Sequence, residues 1–217
     1  MSAGYNNGIM ANILLGVTGS VAAIRTPLLF ASLRERGHTV RIVATRAATY
    51  FFDVAAIAGT PRSSEIVVLD EDEWPNECYQ RNDPVTHIEL RRWADLFLIA
   101  PLDANTLAKL AHGLCDNCLT CVWRAWDPAR PVVLAPAMNT LMWQHPLTAQ
   151  HLGALASQAG IAAPPADSSA IIDAINRSQV RRIVPPQVKE LACGDVGIGA
   201  MAEVETIVGM TDSLIRR

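Results

Sequence analysis

Pro131-Val-Val-Leu-Ala135, followed at once by Pro136-Ala-Met-Asn139-Thr-Leu-Met142-Trp143, is the stretch on which the fold turns. An uninterrupted apolar run of this length suits a strand buried on both faces of a parallel sheet, where helices cover each side. The eight residues after it then form the loop at the strand's carboxyl end, where ligands of open α/β sheets collect. A loop that spends an Asn, two Met and a Trp there is more than a connector, and it is the first candidate for a binding site.

The same alternation runs outward in both directions. Asn12–Val17 and Thr39–Ala44 read as strands, and Ser20 to Arg36 reads as a helix stopped by Gly37. Thr45 to Phe52 starts a further helix, Glu65–Leu69 is a strand candidate, and Trp93–Ala100 leads as a strand into Pro101. Ala104–Leu114, Asn117–Trp126 and roughly Pro146–Gly160 carry helical spacing. This order predicts an α/β, doubly wound parallel sheet with helices on both faces, in a single domain over 11–217, preceded by a disordered lead at 1–10. One segment stands apart. Residues 166–182, between the Pro-Pro pairs 164–165 and 185–186, read as a solvated insertion, either a short surface helix or a mobile loop.

Composition narrows the function. Half of the 217 residues are hydrophobic, 18% are charged and the formal net charge is −3. A sizeable core is expected, and the basic excess of a nucleic-acid binder is absent. No membrane span and no signal peptide is legible, and five cysteines in a chain this long suit a reducing compartment, so a cytoplasmic protein is expected.

A second loop, Gly16-Val-Thr-Gly19-Ser20-Val21-Ala-Ala23, joins the first strand to the first helix. Its glycines allow a sharp turn, Ser20 can cap the helix, and helix N-terminal amides favour an anion. Neither a dinucleotide fingerprint nor a Walker loop is present. Taken alone, the loop is equally well a tight βα turn. Together with Thr45 and the Asp103-Ala104-Asn105-Thr106 run, also at strand ends, it favours a mononucleotide-type phosphate site.

Gly16–Ser20, Ala100–Thr106 and Pro136–Asn139 together resemble the flavin-containing cysteine decarboxylase family. His87-Ile-Glu-Leu-Arg-Arg-Trp-Ala-Asp95, Gly113–Asn117, Leu191–Asp195 and Gly199–Glu203 narrow the resemblance to its eukaryotic coenzyme A branch. That branch decarboxylates 4′-phosphopantothenoylcysteine. The resemblance spans roughly residues 12–163 and 184–209. It implies a flavodoxin-like fold, a homotrimer, and FMN at the subunit interface. It implies that Gly19, Ser20, Val21, Thr45, Asp103, Ala104, Asn105, Thr106 and Ala137 contact FMN. It assigns catalysis to His87 as base and Cys193 as proton donor, and the substrate carboxylate to Asn139. Met142, Lys189, Ala192 and Met201 join the substrate site, with Lys189 offered to the substrate phosphate. Gly194, Gly197 and Gly199 would let the Cys193 segment close as a flap. The implied chemistry is oxidation of the cysteine CH2–SH to a thioaldehyde, loss of CO2 into that sink, and re-reduction.

Other readings stand beside this one. A relative of the same fold can act as an inhibitory phosphatase subunit, but the chain keeps His87, Asn139 and Cys193 and lacks a long acidic tail. A peptidyl-cysteine decarboxylase fits the Arg91-Arg92-Trp93 motif less well. Cys115, Cys118 and Cys121 have metal-like spacing but no familiar fourth ligand, and read as one buried helix face. The acidic run Asp70-Glu-Asp-Glu73 reads as a solvated loop rather than a metal site, and no metal is expected.

Overall fold

The computed structural model describes residues 9–59, 64–78, 80–190 and 196–215. Its strands are β1 (Asn12–Val17), β2 (Thr39–Ala44), β3 (Val67–Val68), β4 (Leu96–Leu102), β5 (Val132–Pro136), β6 (Arg181–Ile183), β7 (Gln187–Glu190) and β8 (Val196–Ala200). The helices are α1 (Thr26–Glu35), α2 (Val54–Ala58), α3 (Asp70–Glu73), α4 (Thr86–Trp93), α5 (Ala104–His112), α6 (Cys118–Ala125), α7 (Thr140–Gln144), α8 (Pro146–Gln158), α9 (Ser168–Asn176) and α10 (Val204–Ile215). The first eight residues of the expected N-terminal lead lie outside the described residues, while Ile9 and Met10 are exposed.

Six strands form one parallel sheet in the order β3-β2-β1-β4-β5-β6. Without the two-residue β3 the order is the 2-1-3-4-5 of a flavodoxin-like sheet. The sheet alternates as a pleat requires. Ile13, Leu15 and Val17 point into one core beside Leu29, Leu33 and Ile207, and Leu14 points into the other beside Phe97, Leu119 and Leu152. Gly16 shares the second face, where a Cβ would meet Leu119, Phe97 and Ile99 at 3.1–3.2 Å, so α6 can lie close on β1. Every residue of β4 and β5 is buried, as expected for interior strands covered on both sides.

The strand order reverses between β1 and β4, where one run of parallel strands leads away to β3 and the other to β6. The loops leaving these two strands diverge and open a crevice at their carboxyl ends. Thr18 stitches the crevice floor. Its buried hydroxyl donates to the Pro101 carbonyl at 2.8 Å and accepts the Asp103 N–H at 2.8 Å.

Four local expectations are corrected. The first helix begins as a 3-10 turn at Val21–Arg25 and becomes α-helical only at Thr26, where Pro27 fits the first turn because it has no N–H to leave unpaired. The Thr45–Phe52 helix is reduced to a 3-10 turn at Ala48–Tyr50, and α2 starts after the Asp53 cap. The 65–69 strand shrinks to β3, and Trp93 ends α4 rather than opening β4.

The larger correction concerns 166–182. The segment is no solvated insertion. α9 starts under an Asp167 cap and buries Ile171, Ile172 and Ile175, and β6 adds a sixth parallel strand beside β5. The Asn176 side chain ties the two together, donating to the Ile183 carbonyl and accepting the Ile183 N–H. Flanking prolines and polar neighbours masked an apolar i, i+1, i+4 pattern that one helix face needs to join a core.

Candidate functional site

A cavity of about 650 Å³ opens at the carboxyl ends of β1, β4 and β5. Its walls come from separate stretches of chain: Gly19–Arg25, Asp103–Asn105, Ala137–Asn139 with Met142, and Lys189 with Gly199–Met201; Phe51 adds a further apolar side. The anticipated Gly19, Ser20, Val21, Asp103, Ala104, Asn105 and Ala137 line it, as do Asn139, Met142, Lys189 and Met201. Thr45 and Thr106 do not. Both are buried behind the wall, the Thr45 hydroxyl accepting the Ala48 N–H and the Thr106 N–H donating to Asp103. No residue of 166–182 lines the cavity, so that segment does not form its described rim.

Local chemistry shapes each wall. Ser20 and Asp103 cap the first 3-10 turn and α5, accepting the N–H groups of Ala22 and Thr106. Gly19 has no room for a side chain, since a Cβ there would lie 2.6 Å from the Ala47 Cβ. Asn139 caps α7 by accepting the Leu141 N–H at 2.8 Å. That bond commits the amide oxygen and makes the NH2 the donor edge of the side chain.

β7 and β8 form a separate antiparallel hairpin that closes against the Asn139 loop. The Met138 N–H donates to the Gly199 carbonyl at 3.0 Å. A Cβ on Gly197 would lie 2.3 Å from the Thr140 hydroxyl oxygen, and one on Gly199 2.2 Å from the Met138 carbonyl oxygen. Gly199 also has φ +142°, a backbone region that favours glycine. These two glycines therefore allow the close approach of the hairpin to the Asn139 loop. Ala192, Cys193 and Gly194 lie outside the described residues, but Lys189 before them and Gly199 after them both line the cavity.

Glu203 ties the hairpin to the first helical turn. It accepts from Arg25 (2.8 Å), Gln187 (2.9 Å) and Lys189 (2.9 Å). Hydrogen bonds from Lys189, then Gln187 and Arg25, pull its carboxyl down to about 2. The Lys189 ammonium is thus already paired, and Arg25, not anticipated from the sequence, is the second cation at the cavity wall.

His87 is not part of this wall. It sits in the first turn of α4 and faces α3, the acidic run expected to be a solvated loop. Glu73 is buried. One of its oxygens lies 2.5 Å from His87 Nδ1, and the other accepts the His87 backbone N–H at 2.7 Å and faces the Cys118 thiol at 3.6 Å. Asp70 accepts the Cys118 N–H at 2.9 Å, and burial raises the Asp70 carboxyl. The only sequence signal for this corner was the placing of an acidic run 14 residues before His87. The three cysteines do not form one buried face either: Cys118 is buried, Cys121 is half-buried and Cys115 is exposed. Burial, then the nearby Cys115, raises the Cys121 thiol to about 11, and burial raises Cys118 further.

Comparison with known proteins fits this geometry. The sequence profile of the flavoprotein family matches residues 5–216. The mouse protein phosphopantothenoylcysteine decarboxylase is 46% identical over 204 residues, covering 94% of this chain and 86% of its own. The rice protein of the same name is 45% identical over 204 residues, covering 94% and 79%. Among solved structures, a mutant PPC decarboxylase complexed with pantothenoylaminoethenethiol superposes with a TM-score of 0.78 at 41% identity, covering 96% of this chain and all of that one. The FMN binding protein AtHal3 gives 0.71 at 43% identity, covering 93% and 94%.

Proposed function

The chain belongs to the flavoprotein family, and from that premise we propose that it is an FMN-dependent decarboxylase of 4′-phosphopantothenoylcysteine that works as a homotrimer with its site between subunits. The observation that carries the reading is the cavity at the β1/β4 switch point, into which the Asn139 loop and both ends of the Cys193 segment converge. Two structurally similar proteins support the ligands, one described as an FMN binding protein and one complexed with a pantothenoyl compound.

The cavity fits a flavin mononucleotide. It is large, largely apolar on the Val21, Ile24 and Met138 side, and edged by the Ser20 hydroxyl and the Asn105 amide. Gly19, Ser20, Val21, Asp103, Ala104, Asn105 and Ala137 would hold the cofactor, with Thr45 and Thr106 bracing them from behind. When bound, the flavin supplies reversible two-electron oxidation of the substrate CH2–SH, which creates the electron sink that decarboxylation needs. Asn139 offers a neutral NH2 to the substrate carboxylate. That orients the carbon–carbon bond without the ground-state stabilisation a cation would give. His87 takes the thiol proton, and Cys193 returns a proton to the ene-thiolate.

His87 does not line the cavity of its own subunit, and an interface joins the two in this reading. Val21, Ile24, Leu28, Leu141 and Met142 form exposed apolar surface at and beside the cavity, and Trp74 and Val85 are exposed beside the Glu73–His87 corner. Two unlike patches in contact make a head-to-tail interface, which generates a ring when its rotation closes. Each ring interface would then set one subunit's His87 against the next subunit's cavity.

The test is purification followed by turnover. A yellow protein with flavin in the extract, releasing CO2 from phosphopantothenoylcysteine, is expected. Loss of CO2 release in Cys193→Ser with flavin retained is expected as well. A colourless protein that releases no CO2, even with FMN supplied, overturns the reading.

A further inference from the structure

We propose that Glu73 is a positioning residue for His87, one that fixes which ring nitrogen carries the proton and so which one is offered as base. The inference rests on the reading of His87 as the base for the substrate thiol. Its geometry rests on the chain alone.

Both oxygens of Glu73 are committed to the same neighbourhood. One faces His87 Nδ1 at 2.5 Å; the other accepts the His87 backbone N–H at 2.7 Å and faces the Cys118 thiol at 3.6 Å. The backbone contact matters because it ties the carboxylate to the first turn of α4, where a negative group is favourable. Carboxylate and ring are therefore held by two bonds from one residue, and neither can rotate without breaking the other contact. An ionised carboxylate only accepts, so the neutral ring must carry its proton on Nδ1. Nε2 is then left with its lone pair, and no described residue hydrogen-bonds it. That is the nitrogen able to receive a proton from a ligand. On transfer, the thiol proton moves to Nε2, the Nδ1 proton stays in the Glu73 hydrogen bond, and the imidazolium faces a carboxylate. Nothing need pass to Glu73 itself.

Glu73→Gln tests the idea without changing shape. The amide oxygen must take the place that accepts the His87 N–H, so the amide NH2 is turned toward Nδ1. Nδ1 must then accept, and the ring proton moves to Nε2, which removes the outward lone pair. Ring-15N spectra of the flavin-loaded trimer at a pH where His87 is neutral read this directly. The wild-type ring should show the Nδ1–H tautomer and the variant Nε2–H. Phosphopantothenoylcysteine turnover should fall by roughly 10²-fold in kcat with KM and flavin content unchanged. A wild-type ring in the Nε2–H form overturns the proposal without any variant, and so does a Glu73→Gln enzyme of wild-type kcat. If the wild-type protein turns over no phosphopantothenoylcysteine at all, the functional reading fails, while the tautomer still decides the role of Glu73.

Discussion

The cavity wall and the His87 corner are built on opposite plans. The wall is made from backbone and small residues: Gly19, Gly197 and Gly199 bring chain segments closer than any side chain would allow, and Thr18 stitches two loops through its single hydroxyl. The corner is made from charge. Buried Glu73 and half-buried His87 face each other across α3 and α4, with Asp70 and Cys118 behind them. A wall of this kind holds a ligand by shape, whereas a buried ionisable pair moves a proton. In the proposed reading the two plans divide the work, ligand holding by the wall and proton transfer by the corner.

The largest effect expected from this division is rescue between variants. His87→Asn and Asn139→Ala should each be nearly inactive. Trimers assembled from an equal mixture should regain roughly a quarter of wild-type CO2 release, because one interface in four would pair an intact cavity with an intact His87. No recovery on mixing would put both residues to work within one subunit and break the proposed interface.

Gly199→Ala acts on the wall only. A Cβ cannot stay 2.2 Å from the Met138 carbonyl oxygen, so the hairpin must leave the Asn139 loop. We expect a loss of about 3 kcal/mol in a denaturant titration and failure to retain flavin, while the His87 ring spectrum stays as in the wild type. Wild-type flavin retention in this variant would show that the hairpin is not fixed by close approach.

The smallest effect belongs to Glu203, whose ion pairs are half exposed and screened by water. Its carboxyl is pulled from the ordinary 4.5 to about 2, so the contribution is present above pH 4.5 and is lost as the pH falls toward 2. Amide protection across Gln187–Glu190 and Val196–Ala200 should be full above pH 4.5 and decline progressively as the pH falls from 4.5 toward about 2. Glu203→Gln should lower that protection already at pH 6. Equal protection in the two proteins at pH 6 would remove Glu203 as the latch.

Much of the wall is legible in the sequence. The apolar 131–135 run, the Gly19-Ser20 turn and the Asp103–Thr106 cap all lie at strand ends, and strand ends can be read from local periodicity. The Glu73 contact is not legible, because residues 70–73 carry the composition of a solvated turn. Only the packing of α6 on the sheet brings Cys118 over them and makes Glu73 a buried group. The α9–β6 segment escapes a linear reading for a similar reason. Its three isoleucines fit one helix face, but the prolines on either side argue for a loop, and only the open edge of β5 gives that face a core to join.

By itself the sequence determined the alternation of strand and helix, the parallel sheet, and which loops crowd the ligand end, because these follow from the spacing of apolar residues along the chain. Only the tertiary structure decided that the glycines of the β7–β8 hairpin are contact points, that Lys189 is already held by Glu203, and that His87 pairs with Glu73 rather than lining the cavity. Each depends on distances between residues 14 or more positions apart, and a linear pattern carries no record of those.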